Sequence, residues 1–466
     1  MRPDHAPAGE SSLGWARVRL AIFLGFLALC FLGGGASRSD VWSLLYLRPA
    51  AVFCAAFLLI VPGPLNWARV RGPLIFLAAL VLIMIVQLIP LPPGLWTSLP
   101  GHDRFVEAAA AAGLPQPWRP LSVSPDLTLN SMVSLIVPAT VLIGMASIGS
   151  QVSERLLLLF LLCAIIGSGV LGIAQVTGGG GSSLYFYRIT NEGMPVGFFA
   201  NRNHQAALLA CAFPALAAWA CSRTENPAAD RARFWVAGLV GAMLIPLIVV
   251  TGSRSGVILG AIGLAAASFT FWVTRSSRIS NARAALWALL PWLIGLVLLL
   301  LSLLMSSAPA VQRVLKVSIA EDQRVQDFDL FVGMARDFFP LGSGFGTFDP
   351  LFRIYEPYDH LRFTYLNHAH NDLMELIITA GLFGAGLLAA FLIWWLRKSL
   401  PLLRATSRDS GASLRILGSA VVLILMVASL LDYPLRTPIM MAVLAIAATW
   451  LGSGRISRQS GNRNGG

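Results

Sequence analysis

Twelve apolar stretches divide this chain of 466 residues, and their lengths restrict the folds that it can adopt. A helix needs about 20 apolar residues to cross the ~30 Å hydrocarbon layer of a membrane. The stretches lie near residues 17–34, 46–61, 72–91, 128–148, 155–176, 201–221, 234–252, 255–274, 284–306, 370–396, 414–432 and 437–452. The second and the last are short, so 11 or 13 spans also agree with the sequence.

The composition supports the same class of protein. Hydrophobic residues make up 56% of the chain and charged residues only 12%, whereas soluble domains carry roughly twice that charged fraction. The polar residues 1–15 are not followed by a small-residue cleavage site, so the first apolar stretch is predicted to be a retained helix. We therefore predict an all-α polytopic membrane protein with about 12 transmembrane helices.

The five cysteines all lie in or at the edges of apolar stretches, and no CxxC pair is present. The sequence therefore indicates neither a disulfide framework nor a zinc site.

The basic residues predict the orientation of the helices. The formal charge is +12, but the basic residues are spread over many short loops, so we exclude a nucleic-acid partner. If the N-terminus is cytoplasmic, 20 of the 34 Lys and Arg residues fall on the cytoplasmic side and most acidic residues fall outside. Because cytoplasmic loops carry an excess of Lys and Arg, both termini are predicted to be cytoplasmic.

Two of the outer loops are long. Residues 307–366 combine acidic and aromatic residues with a glycine-rich stretch, which indicates short interfacial helices and a tight turn. Residues 92–127 are rich in Pro and Trp, and Trp96 and Trp118 are suited to the headgroup layer.

Four polar motifs fall at helix ends on the predicted outer face. They are Asn-Arg-Asn-His at 201–204, Thr-Gly-Ser-Arg-Ser-Gly at 251–256, His-Ala-His-Asn-Asp at 368–372 and Asp-Tyr-Pro-Leu-Arg at 432–436. Ionisable groups in membrane helices are costly, so these motifs are candidates for a functional site.

The arginines allow two interpretations. Arg202 and Arg436 are each explained by a side chain that extends to the lipid headgroups. Arg254 lies in a turn of small residues at the start of a helix, where a guanidinium and backbone N–H groups both favour a phosphate oxygen. We therefore predict an anionic, phosphorylated substrate.

His370 also allows more than one role. Its position agrees with three roles: a helix cap, a metal ligand together with His368, or a general base. The last role is chemically reasonable because an imidazole is largely neutral near pH 7. No third metal ligand is obvious, and catalytic zinc needs three, so the base is favoured. Asn371 and Asp372 are candidates for orienting the ring or holding a sugar hydroxyl.

Several motifs together resemble the O-antigen ligase and polymerase superfamily. His370-Asn371, followed after nine residues by Gly-Leu-Phe-Gly at 381–384, resembles its His-Asn and Gly-x-x-Gly signature. The stretches 197–204 and 251–256 are similar to further family motifs, as are Arg324 before the glycine-rich stretch 339–346 and the corner at 432–434. The resemblance covers roughly residues 190–440.

This resemblance implies a GT-C type architecture and a metal-independent, inverting glycosyltransferase without a cofactor. It implies a donor glycan on undecaprenyl diphosphate and an acceptor that is either a glycan or lipid A-core, at the periplasmic face of a bacterial inner membrane. His370 takes the place of the family's catalytic histidine. Arg254, Arg324 and, more weakly, Arg202 take the place of its diphosphate-binding arginines.

Four further residues are predicted to support this site, and no residue is assigned to a metal. They are Asn371, Asn201, Asn203 and Arg436. The carboxylates near Arg324 are an alternative partner for that arginine.

The reaction chemistry agrees with these residues. Departure of a lipid diphosphate builds negative charge, which preorganised arginines stabilise in a dry site. The attacking sugar hydroxyl must lose a proton, which His370 is able to accept. An isoprenoid donor lies in the lipid, so a lateral opening between helices is expected.

The chain is divided into N-terminal helices at 1–189, a catalytic membrane region at 190–452 with the periplasmic loop 307–366, and a disordered cytoplasmic tail at 453–466. Polymerase and ligase reactions share a donor, and the sequence does not separate them. A lipid-linked oligosaccharide flippase or other transporter is the alternative, but transporters place ionisable groups near the bilayer midplane. A structural membrane protein would have no use for these polar groups.

Overall fold

The computed structural model describes residues 8–179, 181–222, 226–275, 327–358, 361, 366–405 and 411–453. These residues are almost entirely helical. The α-helices are α1 Ala8–Gly33, α2 Leu44–Ile60, α3 Trp67–Leu88, α4 Pro93–Trp96, α5 Asp103–Ala111, α6 Pro125–Ser134, α7 Ile136–Ser147, α8 Gln151–Thr177, α9 Arg202–Cys221, α10 Pro227–Val250, α11 Arg254–Arg275, α12 Phe328–Asp337, α13 Phe348–Tyr355, α14 Asp372–Ser399, α15 Ala412–Leu431 and α16 Pro438–Gly452. Short 3₁₀ helices cover Leu400–Arg404 and Pro434–Arg436, and strands β1 Pro90–Leu91 and β2 Arg119–Pro120 pair antiparallel.

Nine helical segments in the described residues are long and apolar enough to cross a membrane, and α2 and α16 are shorter apolar helices. Together they account for 11 of the 12 predicted stretches, with α6 and α7 forming one segment. The predicted span 284–306, like the predicted tail from residue 454 onward, lies outside the described residues. The prediction of a helical, multi-pass membrane protein is confirmed, while the count of 12 and the GT-C type architecture stay predictions.

Helix α9 lies at the centre of the bundle, since 89% of its most apolar stretch is buried inside the protein. Its sequence is rich in alanine, and small side chains let neighbouring helices approach closely. Gly256 and Gly263 of α11 lie directly against Ala206 and Ala210 of α9. The first turns of α9 and α11 are therefore neighbours at the same end of the bundle.

The helices alternate in direction between two ends of the bundle. At one end, Arg69 at the start of α3 pairs with Glu154 at the start of α8, and Trp450 Nε1 near the end of α16 donates to Glu154 at 2.7 Å. At the opposite end, Asn203 at the start of α9 bonds to Asp432 at the end of α15. We call this second end the His370 end.

The described part of the long loop confirms the predicted short helices and glycine turn. Helices α12 and α13 flank the turn, and Gly342, Gly344 and Gly346 all have positive φ angles. In the other long loop, the two tryptophans differ in burial, and their placement in the headgroup layer stays a prediction. Trp96 is fully buried and its Nε1 donates to Pro117 O at 2.8 Å, whereas Trp118 is exposed.

The glycine turn is inserted into a break in α14. Gly381 interrupts the helix with φ 53° and ψ −135°, and a side chain there would collide with Pro340 O. The opened backbone bonds instead to the turn, with Leu382 N donating to Pro340 O at 2.8 Å and Gly344 N donating to Thr379 O at 3.0 Å. These hydrogen bonds join the long loop to α14, the helix that His370 precedes.

Candidate active site

His370 lies two residues before α14 in a left-handed backbone conformation, with φ 50°. Positive φ is uncommon outside glycine and is found preferentially where the surrounding structure enforces it. The ring is directed to Asp432, which ends α15 and lies 62 residues further along the chain.

The carboxylate of Asp432 organises this contact. His370 Nδ1 lies 3.0 Å from Asp432 Oδ1, and Asp432 Oδ2 accepts from Asn201 Nδ2 at 3.1 Å and from Asn203 Nδ2 at 2.6 Å. An ionised carboxylate only accepts, so the ring hydrogen is on Nδ1. When this ring is neutral, Nε2 carries no hydrogen and is the atom that is able to accept a proton.

A second histidine is held in the same way by a different carboxylate. His368 Nδ1 lies 3.1 and 3.2 Å from the two oxygens of Glu375, and Ala369 N donates to Glu375 Oε2 at 3.1 Å. The rings of His368 and His370 lie 4.6 and 4.7 Å from the ring of Tyr433. The two histidines therefore bind separate acidic partners around one tyrosine.

Arg436 joins the second network. Its guanidinium contacts Asp372 Oδ1 at 3.1 Å and Glu375 Oε1 at 3.3 Å. Burial disfavours the charged form of Arg436, but the carboxylates of Glu375 and Asp372 outweigh this effect and raise its pKa further. Ser429 Oγ also donates to Asp372 at 2.9 Å. Arg436 thus contacts acidic side chains at the His370 end and does not only extend to headgroups.

Two of the three predicted supporting asparagines, Asn371 and Asn201, cap helices. Asn371 Oδ1 accepts from Leu373 N and Met374 N at 3.0 Å, which satisfies the first N–H groups of α14. Asn201 Oδ1 accepts from Asn203 N at 2.8 Å at the start of α9, while its Nδ2 binds Asp432. Asn201 and Asn203 therefore support His370 through Asp432, and Asn371 fixes the helix start.

A polar cavity of about 720 Å³ opens beside His370. Its lining combines three arginines, one carboxylate, amides and aromatic rings, which are the groups that bind sugars and anions. Those charged groups are Arg38, Arg188, Arg202 and Asp40. Hydrogen bonds from Arg38 to the carboxylate of Asp40 hold the pKa of Asp40 below its usual value.

An apolar groove of about 560 Å³ lies on the His368 side. Its walls come from α3, α14 and α16, with Phe76, Leu388, Phe391 and Leu444 among the lining residues. Only 22% of the most apolar stretch of α3 and 28% of that of α14 are buried inside the protein. Both helices therefore lie at the periphery of the bundle. The polar end of the groove is lined by His368, Asp372, Arg436 and Arg48.

One strip of backbone lines both cavities. Residues 36–38 and Asp40, from the connection between α1 and α2, face the groove and the polar cavity, as does Asn367. The two cavities are therefore adjacent, with His368 on the lining of the groove and His370 on that of the polar cavity.

The predicted arginines are distributed differently. Arg202 lines the polar cavity together with His370. Arg254 begins α11 beside the start of α9, at the same end of the bundle, but is not part of the lining of either cavity. Arg324 lies outside the described residues. A shared pocket for His370 and Arg254 stays a prediction.

The sequence did not reveal the acidic partners of the two histidines, or the N-terminal residues that line the two cavities. The motif at 432–436 gives Asp432 no role, and Glu375, Arg38 and Arg48 do not stand out in the sequence. Among the described residues, no three His, Cys, Asp or Glu side chains form a group that could hold a metal ion.

Residues 239–389 match the family model described as O-Antigen ligase. This confirms the resemblance to the O-antigen ligase and polymerase superfamily. The matched segment contains Arg254, Arg324 and His370, and it excludes Arg38, Arg202 and Asp432. Comparison with curated proteins finds no match.

Proposed function

We propose that this chain, which carries an O-antigen ligase family segment at residues 239–389, transfers a glycan from undecaprenyl diphosphate to an acceptor sugar. The observation that carries the proposal is the position of His370. Its Nδ1 is bound by Asp432, and the residue lines a polar cavity that is adjacent to an apolar groove. A lipid-linked sugar needs both environments within one site.

The apolar groove accommodates the isoprenoid chain of the donor. Because α3 and α14 are peripheral, a chain dissolved in the bilayer enters sideways between them. Apolar surface gives roughly 25 cal/mol of favourable free energy per Å² removed from water, but a lipid chain already lies in hydrocarbon. The groove therefore orients the donor, and affinity depends on the polar groups at its end.

The diphosphate lies at the junction of the two cavities, close to Arg38 and Arg436. Arg202 reaches it from the polar cavity, and Arg254 and Arg324 are assigned to the same anion by the family resemblance. Guanidinium groups bind phosphate oxygens through paired N–H donors, and they stabilise the charge that develops when the sugar leaves.

The transfer is a single displacement. The acceptor oxygen forms a bond to the anomeric carbon of the donor, while the bond from that carbon to the diphosphate breaks and its electron pair stays on the departing oxygen. The proton of the acceptor hydroxyl passes to His370 Nε2. Asp432 stabilises the imidazolium that results, and displacement from the opposite face inverts the anomeric carbon. No metal ion takes part in this scheme.

We place the His370 end at the periplasmic face of the inner membrane and both termini in the cytoplasm. The excess of basic residues in the loops at the other end supports this orientation. Polymerase and ligase activities remain alternatives within the proposal, since both use the same donor and differ in the acceptor.

The test is a transfer assay with the purified full-length protein, a synthetic polyprenyl-diphosphate glycan and candidate acceptors. A ladder of products identifies a polymerase, and a single addition identifies a ligase. Chelation is expected to leave the rate unchanged. Absence of transfer to every glycan and lipid A-core acceptor would contradict the proposal.

The transporter alternative is tested separately. Single cysteines beside His370 and Arg254 are labelled from each side of sealed vesicles. Labelling from the periplasmic side only agrees with the enzyme, whereas labelling from both sides favours transport.

A further inference from the structure

His368 is the most unusual group at the site that the displacement above does not use. It lies two residues before the proposed base, yet it lines the apolar groove and does not line the polar cavity. Its side chain is 16% exposed, as is that of His370. The two rings therefore have similar access to two different compartments.

The partners of His368 fix which nitrogen is available. Both oxygens of Glu375 lie within 3.2 Å of Nδ1, so Nδ1 donates and Nε2 is on the side of the ring away from Glu375. Glu375 is itself fully buried and is held by Ala369 N and Arg436 Nη2. The ring is therefore a preorganised group at the polar end of the groove.

The charged groups around His368 form one buried cluster. Asp372 and Glu375 carry two negative charges against the one positive charge of Arg436. An imidazolium at position 368 brings this buried cluster to a net charge of zero, and buried charges are costly unless they are paired. A diphosphate in the groove adds further negative charge close to this ring.

We propose that His368, as an imidazolium held by Glu375, is a second catalytic residue that donates a hydrogen bond from Nε2 to the leaving diphosphate. This inference rests on the proposed function. His370 accepts the proton of the acceptor hydroxyl in the polar cavity, while His368 contacts the phosphate oxygen that receives the electron pair of the broken bond. His368 keeps its proton, so the displacement remains balanced.

The test measures binding of the product analogue polyprenyl diphosphate to the purified full-length protein in nanodiscs, with polyprenyl monophosphate as the comparison ligand. The His368→Ala substitution is expected to weaken diphosphate binding about tenfold or more, as for a lost hydrogen bond to a charged group. The matched His370→Ala variant removes the imidazole on the other side of Tyr433. It is expected to retain diphosphate affinity while losing transfer.

Steady-state kinetics distinguish a direct contact between His368 and the donor from a purely structural role of His368. His368→Ala lowers kcat and raises the KM for the donor, with no change in the KM for the acceptor, and His368→Gln recovers part of the loss because its amide still donates. If His368→Ala unfolds at a lower temperature than wild type, the His368→Gln variant decides the question by the same measurements.

Equal diphosphate affinities in wild type and a folded His368 variant would overturn the inference, as would equal losses in the His368 and His370 variants. Failure of the proposed function has a different signature, because the wild-type protein would then neither bind polyprenyl diphosphate nor form product.

Discussion

The polar cavity beside His370 and the apolar groove beside His368 are adjacent, and the two histidines contact the same tyrosine but bind different parts of the chain. The carboxylate of Asp432 binds the first histidine, and the amides of Asn201 and Asn203 donate to that carboxylate. Glu375 binds the second histidine and is itself paired with Arg436. The motif at 368–370 therefore places one histidine beside each of two cavities whose linings differ in polarity.

The largest effect is expected for His370→Ala. Loss of the general base lowers kcat by about 10²- to 10⁴-fold. The rate is measured with purified protein at saturating donor, and the amount of folded protein in detergent is the control. A rate within a few-fold of wild type would show that the polar cavity does not contain the base.

Asp432→Asn is expected to have the next largest effect. The substitution removes the charge that orients His370 Nδ1 and places an amide NH₂ against the donors of Asn201 and Asn203. Loss of hydrogen bonds to a charged group costs about 1.5–3 kcal/mol, which corresponds to a 10- to 100-fold decrease in kcat. Asn203→Ala, which leaves the His370 contact intact, provides a milder comparison.

If instead Asp432→Asn changed only thermal stability and left kcat unaltered, the carboxylate would be a structural cap of α15 rather than the partner of the base.

Leu388→Trp tests the groove. Leu388 lines it on α14, so an indole there occupies space that the donor chain needs. We expect the KM for a long-chain donor to rise about tenfold, equivalent to ~1.4 kcal/mol, with little change for a short-chain donor. Leu392→Trp, at an exposed position of the same helix, is the matched control. Equal effects of both substitutions would argue against the groove as the lipid site.

The smallest effect on catalysis is expected for Glu154→Gln at the end of the bundle opposite His370. Glu154 accepts from Trp450 and pairs with Arg69, so the substitution lowers thermal stability by about 1–3 kcal/mol. Distant sites act independently, and the change in kcat should stay below about twofold. A larger kinetic effect would mean that both cavities depend on the packing of the whole bundle.

The helical class was predictable because it depends on local properties of the chain. Runs of apolar residues specify membrane helices wherever they occur, and α9 starts within one residue of its predicted position. The glycines at 342–346 likewise indicated a turn. Their insertion at Gly381 was not predictable, because it depends on how a distant loop docks onto α14.

The site shows the same division. The histidine and arginines were recognisable because polar groups at the ends of apolar helices stand out by type and position. The partner of His370 lies 62 residues away and the amides that hold Asp432 are about 230 residues away. No local pattern encodes such pairs.

By itself, the sequence determined that this is a multi-pass helical membrane protein with its polar motifs at helix ends, since hydrophobicity and helix length are properties of contiguous segments. The tertiary structure alone decided that His368 and His370 bind different carboxylates and line different cavities, and that the connection between α1 and α2 contributes to both. The physical reason is that hydrogen-bond partners and cavities depend on how helix ends from distant parts of the chain come together.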